Sequence, residues 1–152
     1  LEIFSVPNQS SKEVENVIVK AGNDILMFYS DPSKSILYRT TSIDGGQNWS
    51  KPEDVTFTGW IVHRPNIYYN KNNETMLLVY REGKYNTGAI ALSKDKGNSW
   101  KKLFSINEDN RRITYADFVE LNDNTLGFIY ATENNLNGDD SDLFYTTIHI
   151  VH

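Results

Sequence analysis

An all-β fold made of repeated antiparallel sheets is what this sequence predicts, and three observations predict it. The phrase "SIDGGQNW" at 42–49 returns as "SKDKGNSW" at 93–100; both fit Ser-x-Asp-x-Gly-x-x-Trp, and Asp44 and Asp95 stand 51 residues apart. Three further segments share one design: "NVIVKAGNDILMFY" (16–29), "NIYYNKNNETMLLVY" (66–80) and "DFVELNDNTLGFIY" (117–130). Each is two short apolar runs around an Asn/Asp/Gly turn, the signature of a hairpin. Their terminal tyrosines, Tyr29, Tyr80 and Tyr130, lie 51 and 50 residues apart, so one register runs through all three copies. Finally, no segment has the i, i+3, i+4, i+7 apolar spacing of an amphipathic helix.

The elements follow in order. After each hairpin comes a third apolar strand: "SILYRTT" (35–41), "GAIALS" (88–93) and "DLFYTTIHI" (142–150). The first two units then carry the Ser-x-Asp phrase and a fourth strand, at "EDVTF" (53–57) and "KLFSI" (102–106). The third unit stops after its third strand. Its fourth is expected at the other end of the chain, where "IFSV" (3–6) reads like "LFSI" (103–106). Four-stranded antiparallel units repeating at about 50 residues are the pattern of β-propeller blades. The predicted organisation is an outer strand at 1–7 closing the last blade, blades at 12–57 and 62–106, and a blade lacking the Ser-x-Asp phrase at 113–152. Three blades cannot close a ring, since propellers hold about four to eight. The chain therefore reads as half of a six-bladed ring, completed by further blades of a longer polypeptide or by a homodimer partner. It begins with Leu, which fits a leader or whole domains removed ahead of it.

Composition narrows the partners. The 152 residues carry 15 Lys and Arg against 20 Asp and Glu, a formal net charge of −5. That balance argues against a nucleic-acid or anionic-membrane partner, either of which needs a basic surface. No apolar run approaches the ~20 residues of a membrane helix, so no membrane insertion is expected. The absence of cysteine excludes disulfides and thiolate metal sites, and is compatible with a secreted or extracellular protein of a bacterium or phage. No phosphate loop or dinucleotide fingerprint is present, and no cofactor is expected.

The repeated phrase has the chemistry of a turn. Asp44 and Asp95 can accept hydrogen bonds from turn N–H groups, Gly46 and Gly97 can take positive φ, and Trp49 and Trp100 can plug the gap between strands, with Ser42 and Ser93 opening each copy. It is similar to the Asp box, or BNR repeat, of bacterial and viral sialidases and related propellers. The resemblance implies that these turns join strands three and four on the rim opposite the sugar site and hold blades together.

Function is expected at the mouth of the central channel, near the starts of the innermost strands. Aligning the units gives a divergent column of Val14, Arg64 and Tyr115, flanked by Glu13, Glu15, His63, Thr114 and Asp117. The third unit, "ITYADFVELNDNTLGFIY", resembles the last blade of sialidases. By that resemblance Tyr115 is the nucleophile and Glu15 its activating carboxylate. A neutral phenol can attack an anomeric carbon beside a substrate carboxylate without like-charge repulsion. The family also binds that carboxylate with three arginines, whose planar forks match it. Arg64 and Arg81 are candidates, with His63 and Asp117 as further substrate-binding residues, whereas Ser30 stands where another arginine is expected. The family's Phe/Tyr-Arg-Ile-Pro segment and acid/base aspartate are absent. The reading is a sialidase-like part of a glycoside hydrolase acting on terminal sialic acid or a related acidic sugar. Its alternative is a non-catalytic glycan-binding module of a phage receptor-binding protein or bacterial adhesin, and a structural oligomerisation segment is a third. The acidic loop "NLNGDDSD" (135–142) is a candidate calcium site or a solvated loop, while His63, His149 and His152 form no metal-ligand pattern. Trp60 and Tyr85 are candidates for sugar stacking, and Asn8, Asn48 and Asn73 head glycosylation sequons.

Overall fold

A computed structural model of the chain describes residues 3, 5–6, 15–31, 33–57, 63–83, 87–106, 111–133 and 141–150. Among them lie eleven strands and no helix. The first sheet has the order β1 (Glu15–Ala21), β2 (Asp24–Asp31), β3 (Ile36–Ser42), β4 (Glu53–Asp54). The second repeats it with β5 (His63–Asn70), β6 (Thr75–Glu82), β7 (Thr87–Ser93) and β8 (Lys101–Ser105). The third has three strands, β9 (Arg112–Asn122), β10 (Thr125–Glu133) and β11 (Ser141–His149). All pairings are antiparallel between chain neighbours. The hairpins therefore form where the Asn/Asp/Gly turns predict them, with Gly22 at φ 67° in the tight turn after β1.

The fourth strand of the first blade is shorter than 53–57. Only Glu53 and Asp54 pair with β3, after which Val55 donates its N–H to Leu37 O at 2.9 Å and the Thr56 hydroxyl accepts from Leu37 N at 3.0 Å. Of the outer strand expected at 1–7, Ile3, Ser5 and Val6 carry no strand and the rest lies outside the described residues. Glu13, Val14, Asn8, Trp60, Tyr85 and His152 also lie outside them, as does the acidic loop up to residue 140.

The blades stack face to face. The first strand of each blade is innermost, β1 lying beside β5 and β5 beside β9. Between blades one and two, Leu26, Phe28 and Leu37 pack on Met76, Leu78, Tyr80 and Trp100. Between blades two and three, Leu77, Val79 and Ile90 pack on Ile113, Leu126 and Phe128. The middle strand of the central blade, β6, is thus buried on both faces, which is why it reads as the unbroken apolar run "MLLVY" and shows no alternation. Polar clamps cross the first junction: Lys96 Nζ lies 2.8 Å from Asp24 Oδ2, and Arg39 Nη1 donates to Lys96 O at 3.1 Å. Because β1 and β3 run one way and β2 the other, the Ser-x-Asp turns sit at the end of each sheet opposite Glu15. The same argument brings the start of each inner strand and the end of each middle strand to one rim.

Candidate functional site

Three register positions define that rim: Glu15 opposite Ser30, His63 opposite Arg81, and Tyr115 opposite Ala131. The backbone is least regular at Arg64. Its φ is +46° although it is not glycine, it precedes Pro65, and the β5 register slips between His63 and Asn66. The left-handed region is unfavourable for such a residue, and a following proline normally drives its predecessor to extended geometry. Such strain persists only where surrounding contacts over-determine it.

Those contacts are specific. Glu15 accepts from Arg64 N (2.6 Å) and Arg64 Nε (3.3 Å), one carboxylate holding both the backbone and the side chain of the bulge. Arg64 Nη1 donates to Thr114 O at 2.9 Å, and its guanidinium carbon sits 4.6 Å from the centre of the Tyr115 ring, within cation–π range. One side chain thereby links all three blades. Arg81 Nη2 donates to the same carbonyl, Thr114 O, at 3.2 Å. Two guanidinium groups therefore converge on one backbone oxygen. Arg81 is only 7 % exposed and its Nε has no hydrogen-bond partner. Burial, and after it repulsion from Arg64, lowers Arg81 to about 10, with Glu15 opposing and Arg112 adding to the repulsion. It remains a cation at neutral pH.

Arg112, which opens β9 and pairs with Glu133, is the rim residue that the sequence reading missed. Its signal in the sequence is the "RR" immediately before "ITYADF", outside the aligned column because Arg112 stands three residues ahead of Tyr115. It is a third guanidinium close enough to act on Arg81. Tyr115 is 70 % exposed. It lines an open cleft of about 400 Å³ with Asn66, Asp117, Ile129 and Leu143. Asp117 Oδ1 accepts from Asn66 Nδ2 at 3.0 Å and from Phe118 N at 2.8 Å, which ties β5 to β9 just below Tyr115. His63 opens β5 and pairs with Arg81 in register. Ser30, fully buried, occupies in blade one the place of Arg81. His149 is distant from this rim in register, opposite Thr125, whose Oγ1 lies 3.4 Å from its Nδ1. Among the described residues no three His, Asp or Glu side chains are grouped to hold a metal ion, and Asp142 of the acidic loop pairs with Arg111 at 2.6 Å.

A family model described as the BNR repeat-like domain matches residues 2–131. The chain belongs to that family. No curated protein matches it in sequence. Among solved structures, this BNR repeat-like chain is similar to the catalytic domain of the Coprinopsis cinerea GH62 α-L-arabinofuranosidase, with a TM-score of 0.67 and 15% identity over 88% of this chain and 53% of that one. It is similar also to a PL25 ulvan lyase bound to -[GlcA(1-4)Rha3S]-, with a TM-score of 0.65 and 12% identity over 95% of this chain and 40% of that one. A third is the Phanerochaete chrysosporium exo-β-1,3-galactanase with galactose, with a TM-score of 0.62 and 17% identity over 89% and 38%. At such identities the likeness is one of fold: a β-propeller, of which this chain supplies three blades while spanning about half or less of the solved structures it matches.

Proposed function

We propose that this chain forms the part of a propeller that recognises an acidic sugar, with Arg64, Arg81 and Arg112 supplying the positive field and Tyr115 the exposed ring beside it. The carrying observation is the convergence of Arg64 and Arg81 on Thr114 O with Arg112 nearby. Three guanidinium groups gather at the mouth against the two carboxylates of Glu15 and Glu133, a local positive excess in a chain whose net charge is −5, and an anionic ligand would relieve it. The fold neighbours act on glycans, and the ulvan lyase holds an acidic one, which supports a carbohydrate as the source of the anion. An extracellular setting, with which the cysteine-free composition is compatible, is part of this proposal.

The finer reading is sialidase-like catalysis, in which the Tyr115 phenol, its proton passing to Glu15, bonds to the anomeric carbon as the C–O bond to the aglycone breaks and the aglycone leaves as its oxyanion, protonated by solvent. The exposure of Tyr115 under a guanidinium favours it. Both Glu15 oxygens are engaged by Arg64, so in this arrangement the carboxylate must exchange a partner before it can act as a base. Calorimetry against sialic acid and glucuronate-containing oligosaccharides tests the binding reading. Arg81→Ala and Arg64→Ala should each weaken an acidic sugar by about ten-fold or more, the worth of one charge-assisted hydrogen bond, and leave neutral sugars unaffected. Equal loss for neutral and acidic sugars would sink it. For catalysis, Tyr115→Phe should abolish release of a fluorogenic aglycone from an aryl sialoside while binding persists; an undiminished rate removes Tyr115 from that role.

A further inference from the structure

The two Ser-x-Asp phrases differ where the turn leaves the side chain free. The first reads Ile43 and Gly45; the second reads Lys94 and Lys96 at the same places. The later of these positions is left-handed in both copies. Gly45 takes φ 75° there without steric cost, whereas Lys96 takes φ 54° against its own Cβ. The turn does not require a lysine, so the reason for it lies in what the side chain reaches.

Both lysines line one groove of about 470 Å³ between blades one and two, on the rim opposite Glu15. Leu26 is the one apolar side chain among the described residues that line it. Sites for small molecules span about 300–1,000 Å³ and are mostly apolar. This groove has that size with a polar lining, which suits a small polar occupant. Its backbone is also strained: Glu74, just ahead of β6, lines it at φ 56°. Four described residues other than glycine have positive φ; Glu74 and Lys96 lie on this groove, and Arg64 lies on the opposite rim. Strain of this kind gathers at ligand clamps.

Charge narrows the ligand. Arg39, Lys94 and Lys96 are balanced by Asp24, Glu74 and Asp95, and Glu53 pairs with Arg39 from beside the groove, so there is no positive excess to hold an anion. Among the described residues no three acidic or histidine side chains are grouped to hold a metal cation. Most of the charges are already engaged. Lys96 Nζ lies 2.8 Å from Asp24 Oδ2, the buried Arg39 donates to Lys96 O at 3.1 Å, and Asp95 accepts from Ser93 and Ser99 of its own turn. The side chains of Lys94 and Glu74 are both exposed and make no hydrogen bond or ion pair among the described residues. One ammonium and one carboxylate are left over, with the Thr41 hydroxyl in the same lining. A ligand hydroxyl both donates and accepts, so it satisfies either group without adding charge.

We propose that this groove is a second binding site, for an uncharged, hydroxyl-rich ligand: a neutral saccharide unit. It shares no residue with the Arg64 rim, so occupancy here is independent of whether an acidic sugar binds there.

Amide chemical shifts of the isotope-labelled full chain, followed while methyl glycosides of neutral hexoses and pentoses and then lactose are added, test it. At least one neutral sugar should move the amides of Thr41, Glu74, Lys94, Lys96 and Asn98 saturably and leave those of Arg64, Arg81 and Tyr115 in place. Lys94→Ile gives the second phrase the residue of the first, and Glu74→Ala removes the spare carboxylate. Each should weaken that sugar about ten-fold, the worth of one charge-assisted hydrogen bond. Both positions are exposed, so the amide spectrum elsewhere should stay native. The absence of saturable shifts with every neutral sugar overturns the proposal, as do shifts confined to the Arg64 rim. Undiminished affinity in both variants also overturns it, as does tighter binding at these amides of methyl glucuronide, an anion, or of glycine, a zwitterion.

Discussion

The two Ser-x-Asp turns are built alike and used differently. Each serine hydroxyl donates to its aspartate at 2.8 Å and accepts from the glycine N–H at 2.8 Å. Each aspartate Oδ1 accepts the backbone N–H four residues on, from Asn48 or Ser99, at 2.9 Å. The glycines lie at φ 94° and 78°. Beyond the turn they diverge. Trp49 Nε1 donates to Gly46 O at 3.0 Å, whereas Trp100 Nε1 is buried without a partner while its ring packs edge-on to Phe28. A short motif thus fixes a local turn, and the neighbouring blade decides whether that turn becomes part of a core.

The strongest break in this comparison is Phe28→Ala. Phe28 is fully buried and touches Trp100 of the next blade, so its loss should cost about 3–5 kcal/mol in chemical denaturation; a cost near that of a surface substitution would show that the second turn does not serve the junction. Next come the two glycines. Alanine at either must adopt a left-handed backbone, which costs roughly 1–2 kcal/mol. Gly97→Ala must in addition push its Cβ into the Phe28 ring, a further ~1–3 kcal/mol of overpacking. Gly97→Ala should therefore be clearly more destabilising than Gly46→Ala, and equal losses would mean that the second turn is not shared between blades.

What the sequence made legible follows from the same distinction. Strands repeat because every blade must bury the same two faces, so the 51-residue period revealed the hairpins, and the Ser-x-Asp phrase revealed the turns. The fourth strand of blade one falls near "EDVTF" as expected and ends at Asp54, because Val55 and Thr56 bond to the single residue Leu37 and form no ladder. The rim was legible only in outline. Arg64 and Tyr115 stand out as departures from the repeat and Glu15 and Arg81 by the sialidase resemblance, and the structure brings Glu15, Arg64 and Tyr115 together and joins Arg81 to them through Thr114 O. That Arg64 links the three depends on its positive φ and the slipped register, which no spacing rule encodes. Arg112 is not legible this way because it lies three residues outside the aligned column and its partner Glu133 is set by the β9–β10 register.

The smallest expected effect separates the turns by charge. Hydrogen bonds from the Asn48 backbone, then its side chain, then Ser42 hold Asp44 down at about 2, below its ordinary 3.8. For Asp95 burial pulls upward, and the bonds from Ser99 and Ser93 outweigh it, leaving the group lowered. A carboxylate depressed in the folded state stabilises the fold fully above its unfolded value and loses that contribution as pH falls through the folded one. Asp44 should therefore contribute down to a pH near 4 and progressively less toward 2. Thermal unfolding of the native chain and of Asp44→Asn across this range should show a gap at pH 6 that narrows below pH 4. Asp95→Asn should show the same direction, and a gap that stays constant on acidification would mean that the carboxylate charge contributes nothing to the turn.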